Sequence, residues 1–327
     1  MEKLLVLIFS IFICCDNSEG ILETPQSATP IIKIDSTFDV IFTENIIYGQ
    51  GLSHENINSE NAISIPLFMD SYVPDNLSQN RPVLMLIHGG GFVGGSKQQQ
   101  AIVNIANYFA ERGWVVFSID YRLMNDFGTV PQAWIDFAPN INPSSLGKFF
   151  AVYPAHRDAK AALRWIVANK SVYNINTNYI TVGGGSAGAV TSIGISVSNQ
   201  EDYKNEISLT EDNSLSSTNL DQSYQVHTIL DFWGSKTSVQ VLELIYGFQR
   251  FDSNDPPLYI VHGTEDLTVL FSEAEELRDI YENNQVPYIF YELPGAGHGP
   301  WNATVEGVRL EKLAFDFVVE QQQLILE

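Results

Sequence analysis

The sequence predicts an α/β protein whose mostly parallel sheet carries helices on both faces. Short β-favouring runs alternate with segments of helical periodicity along most of the chain, which is typical of parallel sheets. Residues 81–88 and 114–120 form continuous apolar runs, as expected of strands that are buried on both faces. The chain has 327 residues, of which 45% are hydrophobic, and this is enough for one large domain of this kind.

The elements follow one another in a regular order. Eight strands are predicted, at 38–48, 63–73, 81–88, 114–120, 178–182, 226–232, 257–261 and 288–293. Helices are predicted at 98–112, 156–170, 187–198, 239–248, 272–283 and 305–320. Two insertions interrupt this alternation. Residues 123–155 are rich in Pro, Asn and aromatic residues, which predicts a cap over a site, whereas the polar, acidic residues 199–225 predict a solvated excursion.

The charge of the chain is strongly negative. Seventeen Lys and Arg residues stand against 39 Asp and Glu residues, for a net charge of −22. Such a surface repels phosphate backbones, so the composition argues against a nucleic-acid-binding protein. We interpret the excess of acidic residues as a feature that favours solubility.

The first residues are typical of an export signal. One Lys precedes an apolar run that is too short to cross a bilayer, and the two cysteines of the chain, Cys14 and Cys15, lie at its end. Residues 1–15 resemble a bacterial lipoprotein signal, which would make Cys15 the lipid-anchored residue and the only contact with a membrane. The alternative is an ordinary secretory signal, so the protein is expected in the cell envelope or outside the cell. The polar residues 16–35 are expected to form a flexible tether.

Ser186 lies in a glycine-rich turn between a predicted strand and a predicted helix. Residues 184–188 read Gly-Gly-Ser-Ala-Gly and fit the pattern G-x-S-x-G. A nucleophilic serine on a sharp strand-to-helix turn needs small neighbours, because its backbone is strained and its surroundings are crowded. In this context the pattern favours a nucleophile at Ser186 over a merely flexible turn.

A second glycine run follows the predicted strand at 81–88. Residues 88–92 read His-Gly-Gly-Gly-Phe, and consecutive glycines let backbone N–H groups approach a substrate oxygen closely. Acyl transfer develops an oxyanion, which N–H donors placed around it stabilise. The sequence therefore predicts an oxyanion hole formed by the backbone N–H groups of Gly90, Gly91 and Ala187.

A serine hydroxyl needs a general base, and the base needs a carboxylate to orient it. In this architecture the carboxylate and then the histidine follow the serine along the chain. His298 follows the last predicted strand, and its glycine neighbours leave the imidazole room to face Ser186. Asp266 follows the strand at 257–261 and is the predicted carboxylate, with the adjacent Glu265 as the alternative. No Cys/His spacing in the sequence indicates a metal site, and none is predicted.

Three further polar residues are expected to be structural. Asp120 and Arg122 are interpreted as a polar pair, and His262 is expected to fix the turn that presents Asp266.

Taken together, these segments resemble an α/β-hydrolase of the esterase/lipase group with an H-G-G-G oxyanion loop, carboxylesterase-like or hormone-sensitive-lipase-like. The matching segments are 88–92, 120–123, 156–165, 184–188, 262–266 and 297–299. The resemblance implies an α/β-hydrolase fold with a catalytic domain at 36–327. It also implies that the enzyme hydrolyses carboxylic esters through an acyl-enzyme and needs no cofactor. Gly185 stands where members of these groups usually carry an acidic residue.

Aromatic residues near the motifs predict the size of the substrate. Phe92 closes the glycine run, Trp134 lies in the predicted cap and Trp301 follows His298 by three residues. If these side chains contact the substrate, they favour short acyl chains of about two to six carbons, or small aromatic esters. The alternative is that the aromatics of the cap belong to the core.

The expected partner is thus a small-molecule ester, and the sequence does not determine an oligomeric state. An amidase or formamidase with the same catalytic residues is the alternative activity. A hydrolase-fold binding protein without catalysis is the alternative from another class.

Overall fold

The structure, a computed structural model that describes residues 28–327, is organised around one eight-stranded sheet. Its strands are β2 (Val40–Ser53), β3 (Ile63–Pro74), β4 (Arg81–Ile87), β5 (Val115–Ile119), β6 (Ile175–Gly185), β7 (Thr228–Phe232), β8 (Leu258–Gly263) and β9 (Tyr288–Leu293). Their order in the sheet is β2-β3-β5-β4-β6-β7-β8-β9. The pairs β2/β3 and β3/β5 are antiparallel and all other neighbours are parallel, so the predicted fold class is confirmed.

Helices cover both faces of this sheet. They are α1 (Gln100–Ala110), α2 (Gln132–Phe137), α3 (Leu146–Ala168), α4 (Lys170–Tyr173), α5 (Ala187–Val197), α6 (Thr237–Tyr246), α7 (Phe271–Asn284) and α8 (Leu310–Gln321). Side chains alternate between the faces along each strand. In β4, for example, Met85 packs in the core with α3, α5, α6 and α7, whereas Leu84 and Leu86 pack in the core with α1 and α8. All seven residues of β4 are buried, as its apolar run predicts.

Helix α3 begins ten residues earlier than the sequence predicts. Residues 146–155, expected to belong to a cap loop, form its first turns, and Pro154 lies inside the helix. The early start has no periodic signal because most of α3 is buried on all sides, so polar and apolar residues do not alternate along it. The rest of the predicted cap consists of α2 and short 3₁₀ turns at 124–126, 138–140 and 143–145.

The segment 199–225, expected as a solvated excursion, is instead anchored to α3. Three buried cations of α3 donate hydrogen bonds to its backbone carbonyls: Arg157 to Lys204 (3.1 Å), Lys160 to Asn199 (2.6 Å) and Arg164 to Thr218 (2.8 Å). Tyr203 and Leu215 of this segment are also buried in the core. The expectation was wrong because buried cations need acceptors, and these carbonyls supply them.

Residues 31–33, predicted to belong to a flexible tether at 16–35, are instead part of the folded domain. Strand β1 (Ile31–Ile32) pairs in parallel with β12 (Ile325–Leu326), and Ile32 is fully buried against the core. The backbone N–H of Lys33 also donates to the carbonyl of Arg112 at 3.0 Å. The export signal predicted at 1–15, including Cys15, lies outside the described residues.

A second small pair, β10 (Thr304–Val305) and β11 (Val308–Arg309), precedes α8 and is antiparallel. Within residues 28–327, none of the helices has both the length and the apolar character needed to cross a membrane.

Candidate active site

Ser186 occupies the turn between β6 and α5. Its φ of 55° and ψ of −122° lie outside the regions that residues with a side chain usually adopt. Two hydrogen bonds hold this strained conformation: the N–H of Ser186 donates to the carbonyl of Phe232, and the N–H of Val190 donates to the carbonyl of Ser186, both at 2.9 Å. The turn places Ser186 at the carboxyl edge of the parallel strands, where α/β sheets carry their ligand sites.

The glycines around Ser186 allow neighbouring elements to approach the turn. A Cβ on Gly184 or Gly188 would lie 2.3 Å or 2.0 Å from the carbonyl oxygen of Ile87, at the end of β4. A Cβ on Gly185 would lie 2.5 Å from the indole ring of Trp301. Gly185 therefore stands before the serine because Trp301 occupies the space that any side chain would need.

Three side chains from separate loops meet at this edge. The hydroxyl of Ser186 lies 2.9 Å from Nε2 of His298, which follows β9. Nδ1 of His298 lies 2.6 Å from Oδ2 of Asp266, which follows β8. With the imidazole N–H directed to the carboxylate, Nε2 is free to accept the proton of the serine hydroxyl. Glu265, the alternative carboxylate, is exposed to solvent.

The environment of Asp266 keeps its carboxylate charged. Burial alone would raise the pKa of Asp266, but hydrogen bonds from His298 and from the N–H groups of Thr268 and Val269 outweigh it and hold the pKa below its ordinary value. Nε2 of His262 lies 2.9 Å from the carbonyl oxygen of Val269 and 3.4 Å from the Asp266 carboxylate. His262 thus fixes the turn that presents Asp266, and burial lowers the pKa of its imidazole.

The glycine run after β4 forms a tight loop beside Ser186. Gly90, Gly91 and Phe92 have φ angles of 120°, 60° and 63°, and the N–H groups of Val93 and Gly94 both donate to the carbonyl of Gly90. Within residues 28–327, the N–H groups of Gly90 and Gly91 donate no hydrogen bond to any acceptor. Ala187 is the first residue of α5, so its N–H also has no partner within the helix. These three donors, which all line the cavity at Ser186, can stabilise an oxyanion.

The prediction that Asp120 and Arg122 form a polar pair is wrong. Arg122 forms a buried ion pair with Asp158 of α3, with 2.6 Å between Nη2 and Oδ1. Asp120 instead lies 3.3 Å from Nζ of Lys97 and 3.8 Å from Nε2 of His88, and thereby supports the glycine loop. The two side chains diverge because Arg122 is buried between β2 and α3, where Asp158 supplies the charge it needs.

Two cavities meet at Ser186. The first, of about 290 Å³, contains His298 and is lined by Trp233, Trp301, Gln99 and Gly90; we call it the histidine compartment. The second, of about 340 Å³, lies between α3, α5 and α6 and is mainly apolar; we call it the apolar compartment. Its lining includes Phe92, Phe149, Val152, Val190, Val241 and Lys148. The site therefore offers two separate spaces to the two halves of a substrate.

The structure places two of the three predicted substrate-contacting aromatics at these cavities. Phe92 lines the apolar compartment and Trp301 the histidine compartment. Trp134 does not reach either one: it is fully buried and packs against Phe149 and Tyr153, with ring centroids 5.0 and 5.4 Å apart. The expectation for Trp134 was wrong because an aromatic-rich segment can bury its rings in the core as well as present them to a site.

Sequence reasoning missed several lining residues. Trp233 directly follows β7, so its position at the carboxyl end of a strand could have indicated it. Lys148 carries no such signal, because one exposed lysine in a predicted loop resembles any other.

Among residues 28–327, no group of three or more His, Cys, Asp or Glu side chains is placed to hold a metal ion.

The chain is similar to a known family and to several known proteins. A family model described as BD-FAE matches residues 69–142 and 148–244, just over half of the chain. Esterase LipC of Mycobacterium tuberculosis is 28% identical over 245 residues, which cover 67% of this chain and 53% of LipC. Carboxylesterase 1D of Mus musculus is 30% identical over 174 residues, which cover 50% of this chain and 28% of that enzyme. The chain thus spans about half, or less, of these two relatives.

Solved structures share the fold. A truncated carbohydrate esterase from gut microbiota superposes with a TM-score of 0.59 at 22% identity, covering 90% of this chain and 100% of that one. Esterase 2 of Thermogutta terrifontis, phosphonylated by cyclosarin, superposes with a TM-score of 0.54 at 22% identity, covering 86% of this chain and 90% of that one. The α/β-hydrolase fold is therefore common to all three.

Proposed function

The chain belongs to the BD-FAE family, and from this membership and the geometry at Ser186 we propose that it is a serine-dependent carboxylic-ester hydrolase. One observation carries the proposal: the hydroxyl, imidazole and carboxylate lie in one hydrogen-bonded line, with 2.9 Å between Ser186 and His298 and 2.6 Å between His298 and Asp266. This is the arrangement by which a serine hydroxyl becomes a nucleophile.

In the proposed acylation, Oγ of Ser186 attacks the carbonyl carbon of the ester while Nε2 of His298 takes the hydroxyl proton. Asp266 stabilises the resulting imidazolium. The negative charge on the former carbonyl oxygen is stabilised by the N–H groups of Gly90, Gly91 and Ala187. The bond to the alcohol oxygen then breaks, and His298 returns its proton to the leaving alcohol.

In the proposed deacylation, a water molecule attacks the acyl-enzyme while His298 takes one of its protons. The bond between the acyl carbon and Oγ of Ser186 breaks, and His298 gives the proton back to the serine. The free acid leaves, and Ser186, His298 and Asp266 return to their starting protonation states.

We propose that the acyl group is short, about two to six carbons, or a small aromatic group, because aromatic side chains in the wall limit the depth of the pocket. The apolar compartment, of about 340 Å³, supports this size because Phe149 and Val241 lie in its wall. Phe92 and Val190 supply the apolar contacts that such a group needs.

A carbohydrate ester is a second candidate within the same activity. Trp301 lies between the histidine compartment and a neighbouring surface cavity of about 230 Å³ that is lined by Gln100, Asn104, Asn302 and Arg309. Amide and guanidinium donors beside an indole can hydrogen-bond the hydroxyls of a sugar alcohol while the ring packs against it. The similarity to a carbohydrate esterase supports including such esters in the assay.

The experiment that tests the activity compares wild type with Ser186→Ala. Wild type is expected to hydrolyse short p-nitrophenyl esters and to be labelled by a fluorophosphonate probe, and esters should be turned over faster than the matching anilides. Ser186→Ala should lose labelling and on the order of 10⁴- to 10⁶-fold in kcat. Ser216→Ala, an exposed serine in the 199–225 segment, is the matched control. Hydrolysis by a folded Ser186→Ala protein would refute the proposal.

The same assay identifies the substrate. The assay uses p-nitrophenyl esters of increasing chain length together with acetylated xylan and methyl ferulate. We expect the highest rates for short acyl chains, for the aromatic ester or for the acetylated carbohydrate. A maximum at long chains, with activation at an oil–water interface, would contradict the proposed size.

A further inference from the structure

A single cation stands beside the catalytic serine in the apolar compartment. Lys148 lies in the first turn of α3, and its side chain lines this compartment together with Ser186 and Phe92. Its Nζ lies 3.8 Å from the position that a Cβ on Gly91 would occupy, so the ammonium group reaches over the oxyanion loop. No carboxylate in residues 28–327 lies within 4.0 Å of this ammonium group.

The unpaired state of Lys148 differs from that of most other described lysines. Four of them form ion pairs, Lys33 with Glu327, Lys97 with Asp70 and Asp120, Lys236 with Glu276 and Lys312 with Asp316. The chain has 39 acidic residues, yet none pairs with Lys148 in the part that the structure describes. The helix does not favour this position either, since a cation in the first turn is opposed by the helix dipole.

The two compartments differ in which half of an ester they can receive. His298 must protonate the leaving alcohol, so the alcohol oxygen has to lie beside its Nε2. His298 lines the histidine compartment and does not line the apolar compartment. The alcohol therefore leaves through the histidine compartment, and the acyl chain extends from Ser186 into the apolar compartment, towards Lys148.

Because the walls near Ser186 are apolar and Lys148 is the charged side chain of this lining, we propose that Lys148 selects esters whose acyl part ends in a carboxylate. Half-esters of short dicarboxylic acids have this chemistry. A spacer of two or three methylene groups would contact Val152 and Val190, while the distal carboxylate pairs with the ammonium group. The inference rests on the proposed ester hydrolysis and assigns Lys148 to substrate specificity, not to the chemical steps.

The test compares two esters that differ in charge alone. Ethyl hydrogen succinate carries an acyl-side carboxylate, and ethyl 4-oxopentanoate carries a methyl ketone in its place. For wild type at low ionic strength we expect kcat/KM to be about 10-fold higher for the succinate, and 1 M NaCl to remove most of this preference. Acetoxyacetate and acetoxyacetone place the same difference on the alcohol side, where no Lys148-dependent preference is expected.

Variants of Lys148 then assign the preference to this side chain. Lys148→Gln should lower the ratio of the two kcat/KM values about 5- to 10-fold, Lys148→Glu should lower it further, and Lys148→Arg should retain most of it. A purely structural role would lower both values and leave their ratio unchanged. Lys170→Gln makes the same change in net charge on α4, at the amino end of β6, and should behave as wild type.

Each outcome has a distinct meaning. A wild-type ratio near one, or a ratio that Lys148→Gln leaves unchanged, overturns the role of Lys148 while hydrolysis of the neutral ester still supports the proposed function. A Lys148-dependent preference confined to the alcohol side overturns the assignment of the two compartments. If wild type hydrolyses none of the four esters, both proposals are overturned.

Discussion

Gly185 offers a direct test of how the site is packed, through the substitution Gly185→Ala. The added Cβ would lie 2.5 Å from Cζ2 and 2.8 Å from Cη2 of Trp301. Unbonded carbon atoms prefer about 3.5 to 4.0 Å, so the indole has to move by roughly 1 Å. It cannot move freely, because Trp301 packs on Trp233 and Phe232, with ring centroids 4.5 and 5.2 Å apart.

The expected loss follows from this displacement. Overpacking of this kind lowers the free energy of unfolding by about 1 to 3 kcal/mol, which the measured Tm would report. Trp301 lies three residues after His298, so a shift of its ring is passed on to the loop that holds the imidazole. We therefore expect Gly185→Ala to lower kcat/KM by about 10- to 100-fold.

A double-mutant cycle attributes the loss to the contact. Shortening Trp301 removes the atoms that the new Cβ would meet, so Gly185→Ala should cost less than about threefold in a Trp301→Ala background. Gly94→Ala is the matched control, because a Cβ there meets no atom within 4 Å. The assay is kcat/KM for p-nitrophenyl acetate, with Tm measured for each variant. Equal losses from Gly185→Ala in both backgrounds would refute this account of why a glycine precedes Ser186.

Other predictions follow from the same geometry. Asp266→Asn should reduce kcat far more than Glu265→Gln, since Asp266 accepts from His298 and Glu265 is exposed; the reverse order would mean that the carboxylate is misassigned. Trp134→Ala should lower the free energy of unfolding by about 3 to 5 kcal/mol and leave the acyl-chain preference unchanged, whereas an altered preference would return Trp134 to the site. Burial raises the pKa of Asp231 from its ordinary value of 3.8 to about 7. Because this carboxyl ionises at lower pH in the unfolded chain than in the folded protein, the free energy of unfolding falls as pH rises through this range. Asp231→Asn stays neutral, so its Tm should rise relative to that of wild type between pH 4 and pH 8. A Tm difference that does not change with pH would contradict the raised pKa of Asp231.

The features that could be predicted are those with a local signature. An unbroken apolar run predicts strand β4, and runs of this kind predict the eight-stranded sheet. Ser186 and His298 each lie in a glycine-rich loop that follows a predicted strand, so sequence alone indicates which edge of the sheet they share. The structure places their side chains in contact, as that reasoning requires.

The features that could not be predicted depend on contacts between distant parts of the chain. Arg122 pairs with Asp158, 36 residues away, and nothing in the local sequence distinguishes Asp158 from Asp120 as its partner. Ile32 is buried where its two-residue strand pairs with β12, almost 300 residues further along the chain. Trp134 faces the core because α3 begins early enough to bring Phe149 against it.

The continuity of α3 has a consequence for how the proposed ester hydrolase could acquire new substrates. The helix that carries Lys148 and Phe149 at the wall of the apolar compartment continues through Asp158 and Arg164, whose charges are satisfied deep in the fold. Swinging the whole helix aside would therefore break buried ionic contacts. Substrate range would then change by exchange of side chains on a fixed frame, one residue at a time. Directed evolution of this protein should accordingly find its specificity mutations at wall positions such as 148, 149 and 152, with the backbone of α3 unaltered.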